Sequence, residues 1–457
     1  MFARRLIAGA ILTLSTTAGM ATDLMQVWEA TRQHDPQGAV SEATRAAGAA
    51  RRDQADALWR PQVGLTVGAG WANADSQVRG AAFSAPDMPP SSGVAFSTSI
   101  TGGSSSNRWS LNARQPLYNP ERSAQSRQLQ VAALASEQES KMLQQNWMLH
   151  TAQRYFEVVL AERRISLIGQ QQHAVDKALT EAKDRFALGD APITDTLEAQ
   201  ARAQALQAQA LAAQNALITA RKVLADASGL DVNAQSLQAP APEQVAALTV
   251  SALEPWLTRA EQHNPMLQLQ QAQLDAAQQE ANKYRLQSAP TLDLVAQASR
   301  EELTGSGDFG TASNSQSQQM VGLMLNVPLY TGGWRSAKLQ ESLQLEEKAR
   351  AELARTRQQV GQMTHAAWLA VQSGQAQLSA LQAARNASQE RLAATQLGRQ
   401  VGDRTTLDLL NAQNDATAAE LAVLQASVDL LIARLQLESL AGQLDVPVLS
   451  QINSVLR

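Results

Sequence analysis

The chain repeats itself once, at a spacing of just under half its 457 residues. Gln115-Pro116-Leu117-Tyr118 returns as Val327-Pro328-Leu329-Tyr330, a shift of 212. Gly189-Asp190, Asp195, Leu197 and Ala199-Gln200 return as Gly402-Asp403, Asp408, Leu410 and Ala412-Gln413, and Gly229 as Gly442, all shifted by 213. Upstream, His34-Asp35-Pro36 matches His263-Asn264-Pro265 and Pro61 matches Pro290, both shifted by 229, because the first copy carries a longer Ser/Gly-rich insertion. Two copies of one layout constrain the fold strongly, since both must satisfy the same packing. Each half reads helix, strand, loop, strand, very long helix, short turn, helix. The first repeat spans 22–231, with strands at 61–71 and 107–115, a long helix at 120–188 and a return helix at 193–228. The second spans 250–445, with strands at 291–299 and 320–328, a long helix at 332–399 and a return helix at 406–441. A linker at 232–249 joins them, and a tail follows at 446–457.

The long helices exclude a compact domain. Between Glu121 and Leu188 there is no proline and only Gly169, while apolar residues such as Leu129, Ala132, Ala133, Leu143 and Trp147 recur at three and four. A helix of that extent is about 100 Å long at roughly 1.5 Å per residue. Its apolar stripe needs similar helices to lie against, in a coiled-coil-like array. Leu24 to Arg60, broken at Pro36, with Ile193 to Ser228 and Val250 to Ser288, supplies shorter helical partners. A soluble coiled-coil rod accounts for these helices equally well but leaves the strands unexplained.

Four segments switch to alternation with period two. Val63, Leu65, Val67, Ala69 and Trp71 alternate with Gln62, Gly64, Thr66, Gly68 and Gly70. Trp109, Leu111 and Ala113, then Leu292, Leu294, Ala296 and Ala298, then Val321, Leu323, Leu325 and Val327 mark the other three. About ten residues with one apolar face is what a membrane-crossing β-strand requires. Trp59, Trp71, Trp109, Tyr118, Tyr330 and Trp334 stand at or near the strand ends, where an aromatic girdle would lie; packing of helix ends onto a soluble sheet is the competing use. Four strands cannot close a membrane barrel, and an open edge in lipid leaves backbone groups unsatisfied. Several chains must then share one barrel, two giving eight strands and three giving twelve, a choice that arithmetic leaves open.

Charge and composition narrow the function classes. Net charge is −4, and losing a leader with Arg4 and Arg5 makes the chain more acidic still, so non-specific nucleic-acid binding is disfavoured. Residues 1–21 read as a secretory signal peptide, with Arg4-Arg5, an apolar Leu6–Leu14 and a small-residue end at Gly19-Met20-Ala21. With no cysteine there is no disulfide, thiolate metal site or lipid-modified N-terminal cysteine. The five histidines lack ligand spacing, no GxxxxGK phosphate loop occurs, and no nucleophile elbow stands between strand and helix. No enzyme, cofactor or metal is expected.

The Pro-Leu-Tyr junctions, the duplicated halves, and the stretches Arg185-Phe186-Ala187-Leu188-Gly189-Asp190-Ala191-Pro192-Ile193-Thr194-Asp195 and Val401-Gly402-Asp403-Arg404-Thr405-Thr406-Leu407-Asp408 together resemble the TolC family of outer-membrane efflux proteins, nearest its type I secretion members. The resemblance covers essentially the whole mature chain. It implies a mostly α fold with a membrane β-barrel: a homotrimer sharing twelve strands in the outer membrane, continued by a long α-helical tunnel across the periplasm. An equatorial belt would fall at Leu230–Thr249 and in the tail, and loops 72–106 and 300–319 would face the exterior. The implied function is a passive exit duct for efflux or type I secretion, fed by an inner-membrane ABC or RND transporter through a periplasmic adaptor. A trimeric surface fibre without a pore is the alternative from another class.

Both turns between long and return helices contain Gly-Asp and then Thr and Asp. Gly189 and Gly402 suit left-handed helix ends, and Thr194, Thr405 and Thr406 are candidate N-caps. Asp195 and Asp408 then serve either the helix N-terminus or, in a trimer, an acidic ring closing a periplasmic gate. Arg404 is placed to bridge to Asp195 or Thr194 of the neighbouring hairpin. Asn411, one turn after Asp408, stands where the resembling proteins often have an acid, which weakens any second ring. The tips Gly189-Asp190 and Gly402-Asp403 are assigned to adaptor docking.

Overall fold

Proline and glycine set the element ends in both repeats. The computed structural model describes residues 22–457 apart from 73, 86, 101–104, 191, 232–235, 286–288 and 308–309, with the backbone alone described for 74–85, 88, 90–100, 307 and 312. The expected signal peptide at 1–21, Ala191 and part of the expected linker therefore lie outside the described residues. In chain order the elements are α1 (Leu24–His34), α2 (Pro36–Ala57), β1 (Gln62–Trp71), β2 (Ala74–Ala85), β3 (Met88–Ile100), β4 (Ser105–Tyr118), α3 (Pro120–Ala187), α4 (Ile193–Ser228), α5 (Pro242–Ala246), α6 (Leu253–His263), α7 (Pro265–Tyr284), β5 (Thr291–Gly307), β6 (Gly310–Asn326), α8 (Trp334–Gln400), α9 (Thr406–Leu440) and α10 (Val446–Asn453). The chain is mostly helical with a minor sheet.

The α1/α2 and α6/α7 breaks fall before Pro36 and Pro265, where the preceding residues Asp35 and Asn264 take extended backbone. Gly229 and Gly442 leave α4 and α9 with φ of 70° and 71°, a repeat of backbone angle as well as of residue. A Cβ on Gly229 would stand 2.9 Å from the His34 imidazole, and one on Gly442 only 2.1 Å from the His263 carbonyl oxygen. His34 and His263 are themselves equivalent, so each repeat seats the end of its return helix on the end of its own short helix.

Two compact units cut across the repeats, one of Met1–Ala46, Ser136–Gln271 and Glu352–Arg457, the other of Ala47–Ala135 and Ala272–Ala351. The first holds the main core. There α9 buries Val423, Val428, Leu430, Leu431, Leu435 and Leu437 with Leu24, Val27, Trp28, Phe156, Leu224 and Leu449. Among the described residues α9 is also the one helix apolar and long enough to cross a membrane, but half of its most apolar stretch is buried in this core. Trp28 and Trp147 meet edge to face at 4.8 Å, and the buried Tyr155 hydroxyl donates to the carbonyls of Thr22 and Gln238 at 3.1 and 2.8 Å. Burial pushes that phenol's ionisation well above the ordinary tyrosine range, so it stays a neutral donor. The expected linker and tail, where the equatorial belt would fall, carry α5 and α10, and Ala239 and Arg457 exchange backbone bonds of 3.0 and 2.9 Å.

The second unit holds the sheet. β1 pairs β4, β4 pairs β5 and β5 pairs β6, all antiparallel, and the β2–β3 hairpin joins β5 through Ile100 and Gly307. Along one face run Val63, Leu65 and Val67, then Leu111, then Leu294, then Val321 and Leu323, all exposed; the other face carries Thr66, Ser110, Asn112, Gln297, Ser299 and Gln318. Two expectations are corrected here. Residues 300–319, read as an outer loop, extend the β5–β6 ladder as far as Gly307 opposite Gly310, and 72–106 contain β2 and β3. Hydropathy marks where a strand meets lipid, whereas hydrogen bonding lets a ladder continue through polar sequence. The second long helix begins at Trp334 rather than 332, because Gly332 and Gly333 both take left-handed φ, 63° and 81°.

An arginine is repeated beneath the strands. Arg122 donates to the Leu58 carbonyl at 2.8 Å and Arg335, 213 residues on, to the Lys283 carbonyl at 2.7 Å, each tying a long helix to the end of the short helix before its strands. Arg335 also pairs with Glu121 of the first repeat and lies over the Tyr284 ring, which meets Trp334 edge to face at 5.7 Å.

Candidate functional site

The two helical turns share one backbone. At the first, Gly189 has φ of 81°, its N–H donates to Phe186 O at 3.0 Å and the Asp190 N–H reaches Arg185 O at 2.8 Å. At the second, Gly402 has φ of 85°, donating to Arg399 O at 3.1 Å, and the Asp403 N–H reaches Gly398 O at 2.8 Å. Both are the six-to-one closure of a glycine-terminated helix. This leaves the Asp190 and Asp403 side chains at the turns, where they line one cleft.

Beyond the turns the copies diverge. Thr405 caps α9: its hydroxyl accepts from the Asp408 N–H at 3.1 Å, and the Asp408 carboxylate accepts from the Thr405 N–H at 3.0 Å. Those bonds to Thr405, with the nearby Arg404 charge, hold the Asp408 carboxyl below the ordinary carboxylate range. α4 instead has Pro192 as its N-cap, and Thr194 lies inside the first turn, as Thr406 does in α9; neither is the cap. Proline has no N–H to give, so Asp195 cannot form the reciprocal bond that occupies Asp408.

One cleft is lined by both turns. Asp190, Pro192 and Asp195 from the first face Gly402, Asp403, Arg404 and Thr405 from the second, with Glu181, Arg185 and Arg399. The structure thus brings Arg404 and Asp195 to one cleft without an ion pair between them, and Arg404 instead lies back over Gly398, where a Cβ would meet its Cγ at 2.8 Å. Asp408, turned to its own cap, is not among the described residues lining this cleft. Cross-hairpin ties bring in three residues that motif reading missed, Arg399, Glu181 and Arg202: Arg399 pairs with Glu181, and Arg202 donates to Asn411 at 3.4 Å. Asn411 is thereby engaged in the wall between α4 and α9. Neither pair sits in a short motif or at a repeated position, so only the fold joins them.

The aromatic positions spread over the sheet unit. Trp71 closes β1 opposite Ser105, Tyr118 closes β4 opposite Leu292, and Tyr330 is exposed beyond β6. Trp109 is inside β4, between Val67 and Arg300, at the row where the apolar face gives way to charge. Trp334 opens α8, and the Trp59 carbonyl accepts from the Gln115 amide at 2.7 Å.

The sequence profile of a family described as "Outer membrane efflux protein" matches residues 27–230 and 256–443, one stretch in each repeat. A proteases secretion protein of Dickeya chrysanthemi is 28% identical over 347 residues, 75% of this chain and 74% of its own length. The outer membrane protein TolC of Escherichia coli K12 is 26% identical over 466 residues, 99% of this chain and 88% of its own. Among solved structures, VceC from Vibrio cholerae superposes with a TM-score of 0.67 at 18% identity, covering 92% of this chain and 96% of that one. CusC does so with a TM-score of 0.71 at 15% identity, covering 94% and 95%. The non-conducting fibre finds no support in these likenesses. With its duplicated long helices, strand sheet and paired turns, the chain belongs to the outer membrane efflux protein family, a family of transport channels and not of enzymes, and acts as an efflux or secretion channel of the outer membrane.

Proposed function

We propose that three copies of this chain share one twelve-stranded barrel, with a helical tunnel continuing below it and a gate at the α3/α4 and α8/α9 turns. The observation that carries this reading is the pair of open edges: among the described residues β1 has one ladder partner, β4, and β6 has one, β5. An unpaired edge is untenable in lipid, so the edges belong against further copies. Two copies would give eight strands, whose interior side chains fill, whereas twelve leave room for a conduit. The apolar face then meets lipid from Tyr118 to Trp109, ten residues of β4 or about 30 Å along the strand, which at a tilt near 40° matches an apolar band about 25 Å tall. Trp59, Trp71, Trp109, Tyr118, Tyr330 and Trp334 form its girdle on this reading.

The leader at 1–21 is removed, and the two repeats with their linker and tail form the mature subunit. Asp195, free of a cap bond, and Arg404, unpaired across its own cleft, provide the charges for contacts between subunits at the closed tip, with Thr194, Asp408 and Asn411 beside them. A periplasmic adaptor engages the Gly189-Asp190 and Gly402-Asp403 turns, and an inner-membrane ABC or RND transporter supplies energy and substrate. The secretion name of the Dickeya relative favours a polypeptide cargo. Native mass of the purified mature protein in detergent, with its conductance in planar bilayers, tests the core of this proposal. A trimer that conducts is expected; a monomer that opens no conduit overturns it.

A further inference from the structure

Charge is placed differently on the two faces of the sheet. On the polar face each arginine has an acid at hand: Arg114 pairs with Asp293, and Arg108 stands directly opposite Glu301. Along β1, β4, β5 and β6 the apolar face has one cation, Arg300, and one acid, Glu302. Arg300 is exposed between Trp109 and Ser317 in the ladder. Among the described residues it forms no ion pair, not even with Glu302 two positions along the same face. A guanidinium is the side chain best shaped to take two oxygens of a phosphate at once, and this one is left without a protein partner.

Its height says where that phosphate lies. The helices join the strands at the other end, at Gln62, Tyr118, Thr291 and Asn326, so Arg300, level with Trp109, marks the outer limit of the apolar stretch. Beyond it the same face carries Asn107, Glu302 and Ser315, then Trp71, Ser105, Thr304 and Ser313. Trp71 is 81% exposed. It stands four residues beyond Val67, about 13 Å along the strand and roughly 10 Å higher at a tilt near 40°. The order from the hydrocarbon outward is therefore indole and guanidinium, then amide and carboxylate, then a second indole among hydroxyls. An indole packs its apolar face on a sugar ring while Ser, Thr and Asn exchange hydrogen bonds with sugar hydroxyls. A phospholipid headgroup would engage Arg300 and leave the Trp71 row without an occupant.

We infer that this face of each subunit binds one phosphorylated glycolipid of the outer leaflet, with its phosphate on Arg300 and its sugar rings against Trp71. Glu302 would repel a bare phosphate. Phosphates crowded in such a leaflet are bridged by divalent cations, which take six or more oxygen ligands, and the Glu302 carboxylate supplies one of them. The wall of the sheet thus continues the charge pattern of the lipid around it, one fixed cation and one fixed anion in place of a headgroup.

This inference rests on the apolar face meeting lipid, as proposed above, and a variant on the opposite face separates the two. Native mass spectrometry of the full-length protein in detergent would be titrated with bisphosphorylated lipid A, with lipopolysaccharide carrying only the innermost sugars, and with phosphatidylglycerol. The wild-type trimer should take up one lipid A per subunit in preference to phosphatidylglycerol. Arg300→Ser should weaken lipid A binding about tenfold and Arg300→Lys by less. Trp71→Ala should weaken lipopolysaccharide several-fold and leave lipid A unchanged, and Arg108→Ser should alter neither. Equal lipid A affinity in wild type and Arg300→Ser, both trimeric in the same spectra, overturns the glycolipid site and leaves the shared barrel standing. Phosphatidylglycerol held as tightly as lipid A, or lipopolysaccharide indifferent to Trp71→Ala, overturns recognition of the sugar. A loss from Arg108→Ser as large as that from Arg300→Ser would put lipid on the polar face and overturn the barrel reading itself.

Discussion

At the scale of single residues, the glycines sort by what surrounds them. Gly402 and Gly442 have similar left-handed φ, but a Cβ on Gly402 meets nothing within 4 Å while one on Gly442 would sit 2.1 Å from a backbone oxygen. Gly402→Ala should cost about 1 kcal/mol, the left-handed penalty alone. Gly442→Ala must also displace the His263 backbone, and should abolish most correctly assembled protein in the outer membrane, as heat-modifiable migration on gels would report. The repeated glycine was legible in the sequence; the difference between its two kinds was not. Asp408 yields a pH prediction. Its folded pKa lies below the ordinary carboxylate value, so its contribution to the α9 cap is complete above roughly pH 4 and fades as pH falls through the lowered value. Amide protection at residues 405–408, taken relative to the intrinsic exchange rate at each pH, should fall on acidification below that range, and Asp408→Ala should leave it low throughout; an unchanged profile in the variant would remove the carboxylate from the cap.

Among elements, charged ties differ in what they hold. Arg335 is 7% exposed and binds Glu121 and a backbone carbonyl, whereas Arg45 and Glu42 form a pair on the open surface of α2. Arg335→Ala should destabilise the detergent-solubilised protein by about 2–3 kcal/mol, and Arg45→Ala by less than about 0.5, in denaturant titrations. Equal losses would mean that the buried arginine is not a junction tie. Strand ends were the least legible elements. The lengthening of β5 and β6 through Arg300–Gln319 depends on a polar ladder with no hydropathy signal, while the ends of α1 and α6 were written in Pro36 and Pro265.

For the whole molecule, Arg404 carries the sharpest test of the proposed gate. Within the chain it shares a cleft with Asp195 but forms no ion pair to it, so any part it plays in closing the gate lies between subunits. Arg404→Ser should raise single-channel conductance in planar bilayers several-fold without lowering trimer yield. Unchanged conductance would leave Arg399–Glu181 and Arg202–Asn411 as the ties that matter at this end.

The sequence by itself determined the duplication, the long helices, the glycine-ended turns and the alternation of four strands, because each of these follows from local backbone preference and from hydrophobic period. Only the tertiary structure decided that Thr405 caps α9 while Pro192 leaves Asp195 uncapped, that Asn411 serves Arg202, and that β4 meets β5 to join the repeats with two uncharged edges left open. Those are contacts between residues far apart in the chain, and spacing along the sequence carries no record of which distant group will come to stand opposite.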